Sequence, residues 1–435
     1  MRLAILGGGF TGLTAAYRLA KKGNEVILFE KEDHLGGLAS GFKKLDWEWY
    51  LDQQYHHIFT SDKCFINLVK EVKESDDLFF NRPKTSIYFD LNSRLNNFIK
   101  FDSPLDLIRF PYLSFINKLR TGMVMAFLKF NPFWQHFEKV TAYTWLQKFM
   151  GKESFKILWE PLLIGKFGAE ATNISMAWFW ARIYKRSTSL GYIKGGFQSL
   201  AEKIGKELEE KGGEINLETE VLEIRENDKK ISVKTLTKGV VKQSEFDKVI
   251  CTLSSGILLK ITNSLPEEYI KRIESIKHLD CLNLILVLNK QFFADNTYWL
   301  NINEASFPFL GVVEQTNFIN KEHYGGSHIL YIANYLPSSH NFFKLSKEEL
   351  LKIFTPYLLK INPNFRESLT ESYLFRGYQA QPIIPVYYSQ IKPEFKTPFE
   401  NLYLANMDIV YPWDRGINYA IELGEKIANL VQSAE

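Results

Sequence analysis

Arg2-Leu-Ala-Ile-Leu6 runs straight into Gly7-Gly8-Gly9-Phe10-Thr11-Gly12, continues through the small-residue pattern of Ala15, Ala16, Leu19 and Ala20, and returns as Glu25-Val-Ile-Leu-Phe29 ending on Glu30. Strand, glycine turn, helix, strand and acid follow one another within thirty positions. A bare G-x-G-x-x-G says little, but in this setting it reads as a dinucleotide-binding turn. Gly7 allows the tight exit from the first strand, Gly9 lets backbone approach a pyrophosphate, and Gly12 lets the helix lie close on the sheet. The helix start turns unpaired N–H groups and its positive dipole end toward the phosphates. Glu30 is placed to accept the ribose hydroxyls, and its charge disfavours a 2′-phosphate. The competing reading is a glycine turn without a ligand.

The rest of the chain bounds the answer. Its 435 residues suggest two or three domains, and 53 Lys plus Arg against 50 Asp plus Glu give no global pull toward nucleic acid. Cys64, Cys251 and Cys281 lie far apart with no C-x-x-C, which argues against a disulfide framework or zinc site and fits a reducing compartment. The apolar N-terminal run is too short for a signal peptide, and no stretch has the roughly 20 mostly apolar residues of a bilayer span. Aromatic residues make up 15% of the chain, which leaves open an apolar pocket or a membrane-facing surface.

Dinucleotide-domain signatures recur in the middle and at the end. Gly195-Gly196-Phe-Gln-Ser-Leu200 opens an amphipathic helix carrying Ile204 and Leu208, stopped at Gly212-Gly213 and followed by Glu220-Val-Leu-Glu-Ile224. Asn401-Leu-Tyr-Leu-Ala-Asn406 reads as a strand before Asp414-Arg415-Gly416-Ile417-Asn418, with a closing helix turning Ile421, Ile427 and Leu430 inward. Residues 62–190 read as mainly helical. Residues 265–395 mix strands at Leu282–Leu288, Ile329–Tyr335 and Glu371–Phe375 with a helix at Lys347–Leu359.

These blocks together resemble the flavin amine oxidase, protoporphyrinogen oxidase and phytoene desaturase superfamily over nearly the whole chain. The motif Glu30-Lys31-Glu-Asp-His-Leu-Gly36-Gly37-Leu38-Ala39 is similar to that superfamily's acid followed by Gly-Gly, and the middle and C-terminal blocks occupy its second and third FAD segments. The resemblance implies an α/β fold. A Rossmann-type FAD-binding domain would be assembled from 1–61, 190–264 and 396–435, with an inserted α+β substrate domain from 62–189 and 265–395. It implies non-covalent FAD and no metal. Gly7, Gly9 and Gly12, with Phe10 and Thr11, would hold the pyrophosphate, and Glu30, beside Lys31, the adenosine ribose. Gly36 to Ala39 would lie near the ribityl chain and Val221 near adenine. Asn406 would bind the cofactor at the start of the third segment, and Gly416, Ile417 and Asn418 would lie along the flavin pyrimidine edge, where backbone N–H groups stabilise negative charge on the reduced ring. A local likeness, Tyr55-His56-His57-Ile58-Phe59-Thr60, is to UDP-galactopyranose mutase. Another, Trp159-Glu160-Pro161 to Gly168, is to the substrate domain of protoporphyrinogen oxidases.

The resemblance implies an FAD-dependent oxidoreductase passing a hydride between a substrate C–H bond and flavin N5; a redox-neutral nucleotide-sugar mutase is the alternative. His56 and His57 are candidates for proton relay or, equally, packed histidines. Lys166 and Arg376 are candidates for gripping a phosphate or carboxylate, against ordinary ion pairing. Arg182, Lys185 and Arg186 add to the hint of an anionic group on a small-molecule or lipid-linked substrate. Between Leu107 and Phe137, Arg109, Lys118, Arg120 and Lys129 interleave with large apolar residues, as in a helix on an anionic lipid surface or in a helical core. The location expected is cytoplasmic, with peripheral attachment at the inner face of the membrane on the first of those readings. Oligomeric state stays open.

Overall fold

A computed structural model describes residues 1–72, 77–89 and 98–433. Five parallel strands form one sheet in the spatial order Glu214–Asn216, Glu25–Phe29, Arg2–Leu6, Lys248–Cys251 and Leu402–Leu404. Its strands thus come from the beginning, middle and end of the chain. Alternation along Arg2–Leu6 sorts the two faces. Leu3 and Ile5 pack with helices Phe10–Ala20, Phe197–Glu210 and Ile417–Ser433. Ala4 and Leu6 pack against an antiparallel sheet of Thr219–Asn227, Lys230–Thr237 and Val240–Phe246. Glycine allows the closest helix approach: a Cβ on Gly424 would lie 2.6 Å from the Thr11 carbonyl oxygen.

A second sheet has seven strands, in the order Leu369–Pro382, His278–Leu288, His328–Leu336, Gly311–Glu314, Thr297–Ile302, Lys84–Tyr88 and Phe98–Lys100. Its two faces differ in kind. Leu282, Leu284 and Leu286 meet Leu350, Phe354 and Leu358 of helix Lys347–Ile361. Cys281 and Asn283 turn the other way, and both bond to Gln54.

The described residues of 62–190 are mainly helical, as expected, and also hold three short strands that the pattern did not announce. Leu78–Asn81, Lys84–Tyr88 and Phe98–Lys100 are strands, and Lys84–Tyr88 pairs in parallel with Thr297–Ile302. That partner lies some two hundred positions away, so local pattern carried no trace of it. The strand expected at Glu371–Phe375 runs from Leu369 to Pro382, continued by pairing with His278–Leu288.

The helices of 104–185 form their own core around Leu146, Phe155, Phe167, Trp178 and Trp180. Pro161 shapes the helix that carries Lys166. It has no N–H to give the Ile157 carbonyl, the chain takes a π turn over Phe155–Trp159, and Asn303 Nδ2 donates to the freed oxygen at 2.9 Å. Phe115–Phe130 buries Thr121 and Leu128 but leaves Phe115, Ile116, Leu119, Met123, Phe127 and Phe130 exposed, at 48–79%. Core packing therefore does not account for that face. No helix among the described residues is long and apolar enough to cross a membrane.

Candidate functional site

The glycine turn is built as a cradle. Gly7, at φ +108, closes the turn with its N–H on Phe29 O at 2.8 Å. The first helical bond runs from Leu13 N to Gly9 O, so the N–H groups of Phe10, Thr11 and Gly12 lie outside the helix's own bonding pattern. Gly36 N donates to Gly8 O at 2.9 Å, which draws the Gly36–Gly37 element against the turn. Gly37 has φ +57, and a Cβ there would lie 3.1 Å from Gly9 Cα. A Cβ on Gly9 would meet nothing nearer than 3.8 Å, so room remains beside it for a ligand. A Cβ on Gly12 would lie 2.0 Å from Gly7 O.

Glu30 is buried at the strand end, and its carboxylate accepts from Gly8 N at 2.7 Å and Glu32 N at 3.0 Å. It therefore stiffens the cradle, and its remaining lone pairs are available to a ribose. Lys31 is exposed and pairs with Glu32 rather than turning inward. Leu38 is exposed and reaches Gly377; Ala39 is buried. Val221 is buried with Ile27 and Phe29, beside a break in strand register.

In the third block, Tyr419 N and Ala420 N both bond to Gly416 O, leaving the N–H groups of Ile417 and Asn418 free of the helix pattern. Two side chains there are committed to structure. Asn418 Oδ1 accepts from Phe65 N at 3.1 Å. Asn406 holds Leu253 O, Ser255 and Asp408 N.

His56 and His57 keep some exposure although protein surrounds them, as groups lining an interior cleft do. Neither Nδ1 has a hydrogen-bond partner. Burial, aided by the Arg415 charge, pulls His56 down to about 4; burial, with Arg186, pulls His57 down to about 3. Both are neutral at physiological pH. Beneath them Asp52 is fully buried, with Oδ2 accepting from Tyr192 OH at 2.8 Å and Oδ1 unpartnered. Burial pushes its carboxyl up to about 8.

Lys166 lies in a recess made by four remote stretches. Its Nζ is 5.0 Å from the Tyr335 ring centre, 5.2 Å from Trp178 and 5.6 Å from Phe167. Asp414 accepts from Trp178 Nε1 at 3.0 Å and from Arg182. Arg415 donates from Nε to Gln381 Oε1 at 2.8 Å and also bonds to Tyr335 OH. Burial pushes Lys166 well below the ordinary lysine range, and the Arg182 and Arg415 charges push the same way. Asp414 is lowered: burial opposes its charge, and Lys166, Arg182 and Arg415 outweigh that. Trp178, Arg182 and Arg186 recur every four residues on helix Met176–Lys185 and just past it, so they share one face.

The structure does not bring Arg376 to this group. It faces Leu282 across the strand pair, on the side under helix Lys347–Ile361, and its guanidinium donates to Leu345 O at 2.7 Å. The period of two sends Phe375 and Gly377 inward and Arg376 outward. Asp414 and Arg415 adjoined a recognisable motif. Tyr335, Gln381 and Asp52 carried no sequence signal, being polar residues within or beside apolar strands. A separate depression of about 390 Å³ is lined by Arg82, Lys84, Lys100 and Asp102, and its cations already pair with Asp102 and Asp295.

The profile of the family described as flavin containing amine oxidoreductase matches residues 10–432. The chain is 23% identical to the 15-cis-phytoene desaturase of Glycine max, over 93% of this chain and 75% of that protein. Among solved structures, it is similar to a provisionally assigned protoporphyrinogen oxidase of Exiguobacterium sp. 255-15, with TM-score 0.78, 18% identity and coverage of 100% and 99%. A reduced UDP-galactopyranose mutase gives TM-score 0.76 at 16% identity, over 100% of this chain and 96% of that one. At such identities the structural likenesses speak for the fold. Backbone N–H groups at two helix starts, the space at Gly9 and the unpartnered Nδ1 atoms of His56 and His57 fit a bound FAD.

Proposed function

The chain belongs to the flavin containing amine oxidoreductase family and is an FAD-dependent oxidoreductase, and from that premise we propose that it acts on an apolar, lipid-like substrate bearing an anionic group, taken from an anionic membrane surface. FAD, held without a covalent link, supplies the two-electron chemistry at a substrate C–H bond. The chain's own residues bind and shield. Gly7 to Gly12 and Glu30 hold the dinucleotide, Ile417 and Asn418 offer backbone N–H groups to the ring, and neutral His56 and His57 line the cleft. On this reading, 1–61, 190–264 and 396–435 form the cofactor domain, and the remainder forms the substrate domain.

The observation that carries the lipid reading is the join between the exposed apolar helix and the recess wall. Lys129 Nζ of helix Phe115–Phe130 donates to Tyr184 O at 3.0 Å and Arg186 O at 2.6 Å, at the end of the helix that presents Trp178 and Arg182. Each large side chain left in water forgoes about 1.5–3 kcal/mol of burial, so the six on this stripe mark a surface with a use. Arg109, Lys118, Arg120 and Lys129 pair with no carboxylate among the described residues, and residues 107–137 contain no Asp or Glu. Apolar stripe and unopposed cations together match anionic lipid.

The test is anaerobic mixing of the yellow holoenzyme with polyprenyl-phosphate lipids, amines, porphyrinogens and nucleotide sugars, with flotation on phosphatidylglycerol vesicles alongside. Bleaching by the lipid class and salt-sensitive flotation are expected. Bleaching by water-soluble amines alone, or nucleotide-sugar turnover with no electron acceptor, would overturn the reading.

A further inference from the structure

The recess around Lys166 sets three basic side chains, Lys166, Arg182 and Arg415, against a single carboxylate among the described residues, Asp414. Asp414 is the one carboxylate among the described residues that faces it, and both its oxygens are engaged by Trp178 and Arg182. Arg415 is held by neutral acceptors only, Gln381 and Tyr335. Lys166 is 9% exposed, and among the described residues it has rings for neighbours and no hydrogen-bond acceptor. A cluster that only stabilised the fold would be paired, because an unpaired buried cation costs several kcal/mol. We propose that Lys166 and Arg415, with Arg182 at the rim, form the subsite for the anionic group of the substrate, and that Lys166 enters it as a neutral amine and takes up one proton as the anion binds.

The assignment of the anion to a substrate rests on the oxidoreductase reading above; the proton linkage does not. The groups facing Lys166 are Arg182 and Trp178 from one helix, Asp414 and Arg415 from the third flavin segment, Tyr335 from one strand and Cys281 from its neighbour. Cys281 is pushed up to about 12 by burial and is not the proton carrier. Burial and two guanidinium charges disfavour the charged form of the free amine, and an incoming oxyanion favours it. Carboxylate and phosphate share that chemistry. The proton comes from solvent, so above the free amine's own pKa, binding weakens about tenfold per pH unit.

Octanoate and octyl phosphate serve as probes against the holoenzyme. Binding is read from the flavin absorbance shift, and proton uptake by calorimetry in two buffers of different ionisation heat. Uptake of about one proton per anion is expected. Lys166→Arg should bind with uptake abolished, because a guanidinium is already charged. Lys166→Met should lose uptake and at least about tenfold in affinity. The tighter probe identifies the headgroup. No uptake in the wild type, or unchanged uptake in both variants, would overturn the subsite. Flavin bleaching by a neutral apolar substrate with no anion binding would overturn the subsite and leave the oxidoreductase reading standing. Anion binding with uptake but no bleaching by any substrate class would do the reverse.

Discussion

In the cradle at Gly7–Gly12 the groups that would meet an anion are neutral backbone N–H groups, fixed by helix geometry and drawn from one continuous stretch. In the recess around Lys166 they are ammonium and guanidinium groups on long side chains, brought from 166, 182 and 415 with Tyr335 and Gln381 as supports. The first arrangement is indifferent to pH and intolerant of added atoms. The second tolerates changes of shape and responds to protons. Backbone recognition therefore belongs with the ligand that stays, and titratable recognition with the ligand that comes and goes.

The hardest strain on this comparison is Gly12→Ala. The added methyl would lie 2.0 Å from Gly7 O, a backbone atom that cannot turn aside, and 3.1 Å from Thr252 Oγ1. We expect a loss of about 3 kcal/mol or more and protein purified without flavin, checked by thermal unfolding and flavin-to-protein ratio. A yellow, stable Gly12→Ala protein would mean the turn is not the cradle.

Asp52 comes next, because Leu51–Asp52 pairs with Gly41–Phe42, directly after the Gly36–Gly37 element. Its carboxyl is raised from 3.8 to about 8 by burial. The folded state thus holds a proton that the unfolded state releases, and this contribution is complete below pH 3.8 and lost as pH rises toward 8. The loss runs at about 1.4 kcal/mol per pH unit in that window. Asp52→Asn keeps an acceptor for Tyr192 OH and cannot ionise. Urea unfolding from pH 5 to 9 should show the variant gaining on the wild type up to about pH 8 and holding that gain above it. Parallel curves would place an ionised carboxylate in the core.

The cradle was legible because everything it needs lies within thirty residues and each glycine answers a local steric demand. Val221, Gly416 and Ile417 entered as candidates through their place in a pattern of three blocks. Sequence pattern could not divide the work of side chains and backbone: Asn406 and Asn418 spend their amides on neighbouring turns. Lys166 and Arg376 looked alike in the chain, each a cation beside apolar residues. Strand pairing between residues nearly a hundred positions apart turns Arg376 away from the recess, while helix Glu160–Phe167 carries Lys166 into it.

Lys166→Met sharpens the contrast from the other side. Replacing a buried amine that has no hydrogen-bond acceptor among the described residues by an apolar chain of similar length should leave urea stability equal or raise it by about 1 kcal/mol, while anion binding fails. A large loss of stability would make Lys166 a structural residue and dissolve the distinction between the two regions.

The smallest effect is expected from Arg376→Met, and it tests the division between the faces of the seven-stranded sheet. Arg376 shares the outer face with Leu282, Leu374 and the helix Lys347–Ile361, and its bond to Leu345 O is its one hydrogen bond found among the described residues. Losing it should cost about 1 kcal/mol in urea unfolding. Flavin content, the flavin spectrum and octanoate titration should match the wild type, because Cys281, Phe375 and Gly377 face the cleft while Arg376 faces away. If octanoate binding falls as far as in Lys166→Met, the charge that reads the anion acts through the sheet. The recess would then extend beyond the residues that line it.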